Sequence, residues 1–186
     1  MAFLAQLWMP IILSAVAVFV ASSLIHMVLK WHNSDYRKLP NEDSVRAAIR
    51  AGNPAPGQYV VPHCLGMKEM QTPESQQKFV EGPVGFITLR PNGLPRMGGT
   101  LALWFLFTLA VGVIAAYVAA KTLPTGATFG QVCRVVGTLS FLAYTGGSVT
   151  NGIWMGKPWS SVAKDVVDGL IYGALTGAVF GWLWPR

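Results

Sequence analysis

Residues 8–29, 99–120 and 135–154 contain no Asp, Glu, Lys or Arg. The hydrocarbon core of a bilayer is about 30 Å thick and takes roughly 20 mostly apolar residues of helix. Runs of this length and purity therefore predict membrane-spanning helices before any other pattern is considered. A fourth run, residues 162–184, carries Lys164, Asp165 and Asp168 near its start and is otherwise apolar. Ser160 or Ser161 is the expected N-cap of this last helix, with both aspartates near the positive end of its dipole and Asp168 paired to Lys164 one turn back.

The charges are concentrated elsewhere. Of 14 basic and 8 acidic residues, 9 and 6 fall between Lys30 and Arg96. The expected fold is an all-α membrane protein: a bundle of four transmembrane helices with a small α+β cytoplasmic insert between helices 1 and 2. Residues 1–29 hold the first helix, residues 30–98 the insert, and residues 99–186 the other three, at about 99–120, 132–154 and 162–184. The mean hydropathy of +0.44 and the low charge exclude a disordered chain, a disulfide-stapled secreted domain and an ordinary soluble enzyme core. The first run has no basic leader, and Lys30, Trp31 and His32 stand where a small-residue cleavage site would be, so it is read as a retained helix.

The seven tryptophans, at 8, 31, 104, 154, 159, 182 and 184, lie at or near the expected span ends, where amphipathic rings prefer the headgroup level. Lys30, Arg37, Lys38, Arg90, Arg96, Lys157 and Lys164 flank one side of the expected membrane, against Lys121, Arg134 and Arg186 on the other. The excess of basic residues predicts a cytoplasmic insert and outward termini, in a bacterial-type inner membrane if the source is prokaryotic.

Gly169, Gly173, Gly177 and Gly181 recur every four residues, a glycine-zipper pattern on one helix face. Such a stripe lets backbones approach closely. Its expected use is internal packing, with the small residues of the second span, Ala102 to Ala120, as the complementary face; an intersubunit contact is the alternative. Tyr144, Thr145, Ser148, Thr150 and Asn151 in the third span are expected to bond to neighbouring helices, with a water-lined path as the alternative. No ionisable residue is expected near the bilayer middle, which argues against a proton-coupled carrier.

In the insert, Asn41 or Asp43 is positioned to cap a helix over SVRAAIRA, and Thr72 one over the segment ending at Gly82, with a Glu74–Lys78 pair on its face. Extended runs at residues 58–61 and 84–89 are expected to pair into a minimal sheet. Arg37, Lys38, Arg46 and Arg50 are candidate membrane-surface residues facing anionic lipid headgroups.

Catalytic signatures such as GxSxG, a P-loop, a dinucleotide fingerprint or HExxH are absent from the sequence. His63 and Cys64, with Met67 and Met70, suggest a soft-metal site that His32 and Asp35 can complete, but no spacing enforces a geometry. His26 stands alone within a span, without the second imidazole at similar depth that a b-type haem needs. No cofactor of the chain's own is expected, nor any nucleic-acid partner. The expected function is non-catalytic: an accessory or scaffolding subunit that binds membrane lipids and other integral membrane subunits, with a bioenergetic complex as the assembly it suggests. A small channel or facilitator is the alternative, and a membrane enzyme or metal handler using the insert is the second.

Overall fold

The computed structural model describes residues 2–186, with side chains from Leu4 onward. It is mostly helical, with a small two-stranded sheet. The elements are α1 (Ala2–Ser23), α2 (Glu42–Ala51), β1 (Gly57–Val61), α3 (Met67–Met70), α4 (Pro73–Glu81), β2 (Gly85–Leu89), α5 (Met97–Thr122), α6 (Phe129–Met155) and α7 (Trp159–Trp182). They divide into two units: residues 37–95, and the remainder of the chain.

In the larger unit, α1, α5, α6 and α7 pack together. Among the described residues, two helical stretches, Leu4–Leu29 and Met97–Thr122, are long and apolar enough to cross a membrane. Both are apolar on every side. Leu7, Ile11, Ser14, Val18 and Ser22 on α1, continued by Ile25 just beyond it, form a buried seam at three- and four-residue spacing, while Trp8, Ile12, Leu13, Val16 and Val20 are exposed. On α5, Thr108, Gly112, Ala115 and Ala119 are buried and Leu103, Leu106 and Ile114 exposed. A helix that is hydrophobic all round belongs in lipid or inside a larger protein. The two helices meet closely, since a Cβ at Gly112 would lie 3.4 Å from the Ile11 carbonyl oxygen.

The glycine stripe of α7 lies against α6, not against the alanines of α5. A Cβ at Gly173 would come within 2.8 Å of the Gly137 carbonyl oxygen, one at Gly177 within 3.0 Å of the Cys133 carbonyl oxygen, and one at Gly181 within 2.7 Å of the Phe129 ring. At Gly169 it would strike the Thr145 methyl. The opposing positions on α6 are Phe129, Cys133, Gly137, Phe141 and Thr145, themselves four residues apart, so two single faces meet. The Cys133 thiol donates to the Gly177 carbonyl at 3.2 Å, an approach that the missing side chain at Gly177 permits.

Several ends are set locally. Thr128 and Gln131 form a reciprocal capping box at the start of α6. Gly156, at φ 70°, closes α6 in the left-handed conformation, with the Lys157 N–H returning to the Asn151 carbonyl. α7 begins earlier than expected: Pro158 is its N-cap, and Ser161 is buried in the first turn. Trp104 and Trp184 turn inward. The Trp104 indole donates to the Ser22 hydroxyl at 2.9 Å, and the Trp184 indole to the Pro124 carbonyl at 3.0 Å. A buried indole N–H needs an acceptor, and each finds one on a different element.

In the smaller unit β1 and β2 pair antiparallel, with Gly57 opposite Leu89 and Val61 opposite Gly85. The Thr72 hydroxyl caps α4 by accepting from the Ser75 N–H, and Lys78 pairs with Glu74 at 2.9 Å. Asn41 precedes α2 without a side-chain capping bond. Ser75 is the one buried residue in the whole of residues 37–95.

Candidate functional site

Charged side chains gather where α1 ends and α7 begins. The last turn of α1 widens into a π-helical turn over Leu24–Leu29, which carries His26. Such wide turns recur at functional positions because they re-aim a side chain without breaking the helix. Lys30 then adopts φ 54°, a left-handed conformation that reverses the chain into a short 3-10 turn over Trp31–Asp35. The reversal lays the His32 ring against His26, centroids 4.5 Å apart and planes within 13° of parallel.

His32 is held at both nitrogens: Nδ1 lies 2.7 Å from Asp35 Oδ2, and Nε2 2.9 Å from Asp168 Oδ2 on α7. His26 Nδ1 lies 3.1 Å from the Ser22 carbonyl oxygen, and its Nε2 4.0 Å from the same Asp168 oxygen. The side chains of His26, His32 and Asp168 are 52%, 12% and 6% exposed, so access is from the His26 side. Asp168 Oδ1 is buried without a hydrogen-bond partner among the described residues.

Lys164 does not pair with Asp168, as one-turn spacing suggests. Its ammonium donates to Asp35 Oδ1 at 2.7 Å, the Ser34 hydroxyl at 2.7 Å and the Trp31 carbonyl at 2.8 Å, using all three donors on the chain reversal. The reversal supplies three acceptors in one place, and a single carboxylate one turn on cannot compete with them. The Lys164 bond, joined by those from His32 and Ser161 and opposed by desolvation, holds the Asp35 carboxyl at about 2, below its usual value. Beside it, Asp165 is paired with Lys157 and with the Ser148 hydroxyl.

Two cavities meet at these residues. One, of about 450 Å³, is lined by His26, His32, Asp35, Lys157 and Asp165. The other, of about 440 Å³, runs between the long helices past Ser22, His26, Trp104, Tyr144, Asp168 and Tyr172. In the second, Trp104, Tyr144 and Tyr172 pack edge to face or tilted, with centroids 5.4 to 6.1 Å apart.

Of the weak metal candidates, His32 lies in this cluster, whereas His63 and Cys64 belong to the smaller unit. Among the described residues the one group of three potential ligands with atoms within 4.8 Å of one another is His26, His32 and Asp168. The second imidazole that His26 lacked in the sequence is thus present as His32. It is stacked beside His26, where two axial haem ligands would face each other across an iron. The sequence held one signal, two histidines and an aspartate within ten residues. Asp168, 136 positions from His32, has no sequence signal of its own.

In the smaller unit, Arg46 and Arg50 are joined by Arg90 around a cavity of about 590 Å³. Arg46 also pairs with Asp43 at 3.4 Å. Arg37 and Lys38 are exposed.

No protein-family model, curated protein or solved structure matches this chain.

Proposed function

We propose that this chain is a non-catalytic integral membrane subunit with four spanning helices, whose cytoplasmic insert docks onto a larger membrane assembly of the bioenergetic kind. The observation that carries the reading is the insert's lack of a core. A domain of about 60 residues normally buries about 60% of the surface its unfolded chain exposes. Here Leu65, Val80 and Leu94 are 87–94% exposed, and Val84 and Phe86 are at least half exposed. A two-stranded sheet is marginal alone, so these side chains need a partner surface to cover them. The arginines around the insert's cavity suit anionic headgroups beside that partner.

The lower hydropathy of α6 and α7 is compatible with spanning. Their polar side chains Ser140, Thr145, Asp168 and Thr176 are buried, while Leu142, Ile153, Leu170, Ile171 and Trp182 are exposed. Thr145 and Thr176 donate to carbonyls of their own helices, as hydroxyls in lipid do. The Ser148 hydroxyl is likewise engaged by Asp165, whereas among the described residues the buried Ser140 and Tyr172 hydroxyls have no partner.

Native mass spectrometry of untagged protein, gently extracted from its own membranes, tests the proposal. A stoichiometric complex with other membrane subunits supports it; a stable lone monomer refutes it.

A further inference from the structure

We infer that His26, His32 and Asp168 form an open three-ligand site for a divalent metal of the zinc class, with Asp35 orienting His32. This inference is independent of the subunit proposal above.

The tautomers follow from the partners. A carbonyl oxygen can only accept, so His26 Nδ1, 3.1 Å from the Ser22 carbonyl, carries a proton. The ionised Asp35 carboxylate likewise accepts, so His32 Nδ1, 2.7 Å away, carries one too. In the neutral rings both Nε2 lone pairs remain, and the nitrogens of His26 and His32 lie 4.0 Å and 2.9 Å from Asp168 Oδ2. Lone pairs on nitrogen and carboxylate oxygen do not sit 2.9 Å apart without a cation between them.

A proton on His32 Nε2 is one such cation, but it accounts for half of the arrangement. It leaves His26 Nε2 beyond hydrogen-bond range and Asp168 Oδ1 buried without a partner. A metal ion can use the His26 lone pair as a ligand once that half-exposed ring turns out of the stack, because lone pairs of parallel rings lie in parallel planes, and it can draw in the second carboxylate oxygen. A tetrahedral ion with bonds of about 2.0–2.1 Å sets its ligand atoms roughly 3.3 Å apart. The two distances to Asp168 Oδ2 straddle that value, and all three ligand atoms fit within 4.8 Å.

The donor set selects the class of ion. Two imidazoles and a carboxylate suit zinc and its first-row neighbours, whereas Mg²⁺ and Ca²⁺ prefer oxygen ligands alone and Cu(I) prefers sulfur. A carboxylate on the far nitrogen of a metal-bound imidazole is the usual outer-shell support, and Asp35 occupies that position, itself fixed by Lys164. Asp168 brings one full negative charge to the ion, while the charge of Asp35 is shared with Lys164. His26 is half exposed and lines both cavities, so a fourth coordination position opens to solvent and to the aromatic cavity between the helices. Three protein ligands with an open position distinguish reactive or exchangeable zinc sites from sealed structural ones.

The test uses the full chain in detergent, carrying a tag without histidine, stripped with a chelator and titrated with Co²⁺ and then Zn²⁺. The expected result is one equivalent of Co²⁺ with visible absorption of a low-symmetry N/O site, displaced by Zn²⁺. Asp168→Asn should abolish binding, and Asp35→Asn should weaken it by roughly 10–100-fold. His26→Gln alters an exposed side chain, so it should keep the thermal unfolding of the parent while losing at least roughly tenfold in affinity. Three results would overturn the inference: substoichiometric Co²⁺ with no such spectrum, unchanged affinity in His26→Gln, or loss of binding on His63→Ala with Cys64→Ser.

Discussion

Gly173→Ala places a methyl group where α7 touches α6. The new Cβ would lie 2.8 Å from the Gly137 carbonyl oxygen and 3.1 Å from both the backbone nitrogen and the Cβ of Phe141. All three atoms belong to a helix already fixed by the neighbouring contact of Gly177 on Cys133, so no side chain can rotate away. Overpacking of this kind costs about 1–3 kcal/mol. Alanine also gains helix propensity over glycine, by about 0.8–1 kcal/mol. The control is Gly146→Ala on α6, where a Cβ meets nothing within 4 Å. Propensity cancels between the two variants, and the difference isolates the steric cost. At about 2–4 °C per kcal/mol for a chain of this size, Gly173→Ala should unfold roughly 2 to 12 °C below Gly146→Ala. Circular dichroism melts of both in one detergent make the comparison. If Gly173→Ala melts at or above Gly146→Ala, the stripe does not set the α6–α7 distance.

Acid should act on the chain reversal through Asp35. Its folded pKa of about 2 lies below the ordinary 3.8, so its contribution to stability is full above about pH 4 and disappears as the pH falls towards 2. Asp35→Asn should therefore lose less stability than the parent between pH 5 and pH 2, and parallel melting curves would show that Lys164 does not hold the carboxylate. Reporter tags on each terminus should both score as outward, since the larger number of basic residues lies on the side of the insert and of the α6–α7 connection. A split result would remove one of the four proposed spans.

Much of the local structure was legible because its causes lie within a few residues. Thr72 caps α4, Lys78 meets Glu74 one turn away, and the two extended runs pair as strands between Gly and Pro. The apolar length of α1 and α5 is likewise a property of composition. Trp184 marks where that reasoning stops: its position near a helix end suggested a headgroup level, yet the indole packs inward on Pro124. An amphipathic ring is equally satisfied by an interface and by a buried carbonyl, and composition does not choose between them.

The sequence by itself determined the approximate places of the long helices, several caps and stops, and the presence of a smooth face on α7, because periodicity and capping depend on neighbours about four positions apart. The tertiary structure decided which helix that face meets, and it decided the partners of Lys164, His32 and Asp168. Those choices turn on the left-handed reversal at Lys30 and on a contact between residues 136 positions apart. Both are set by the fit of packed backbones, which leaves no periodic trace along the chain.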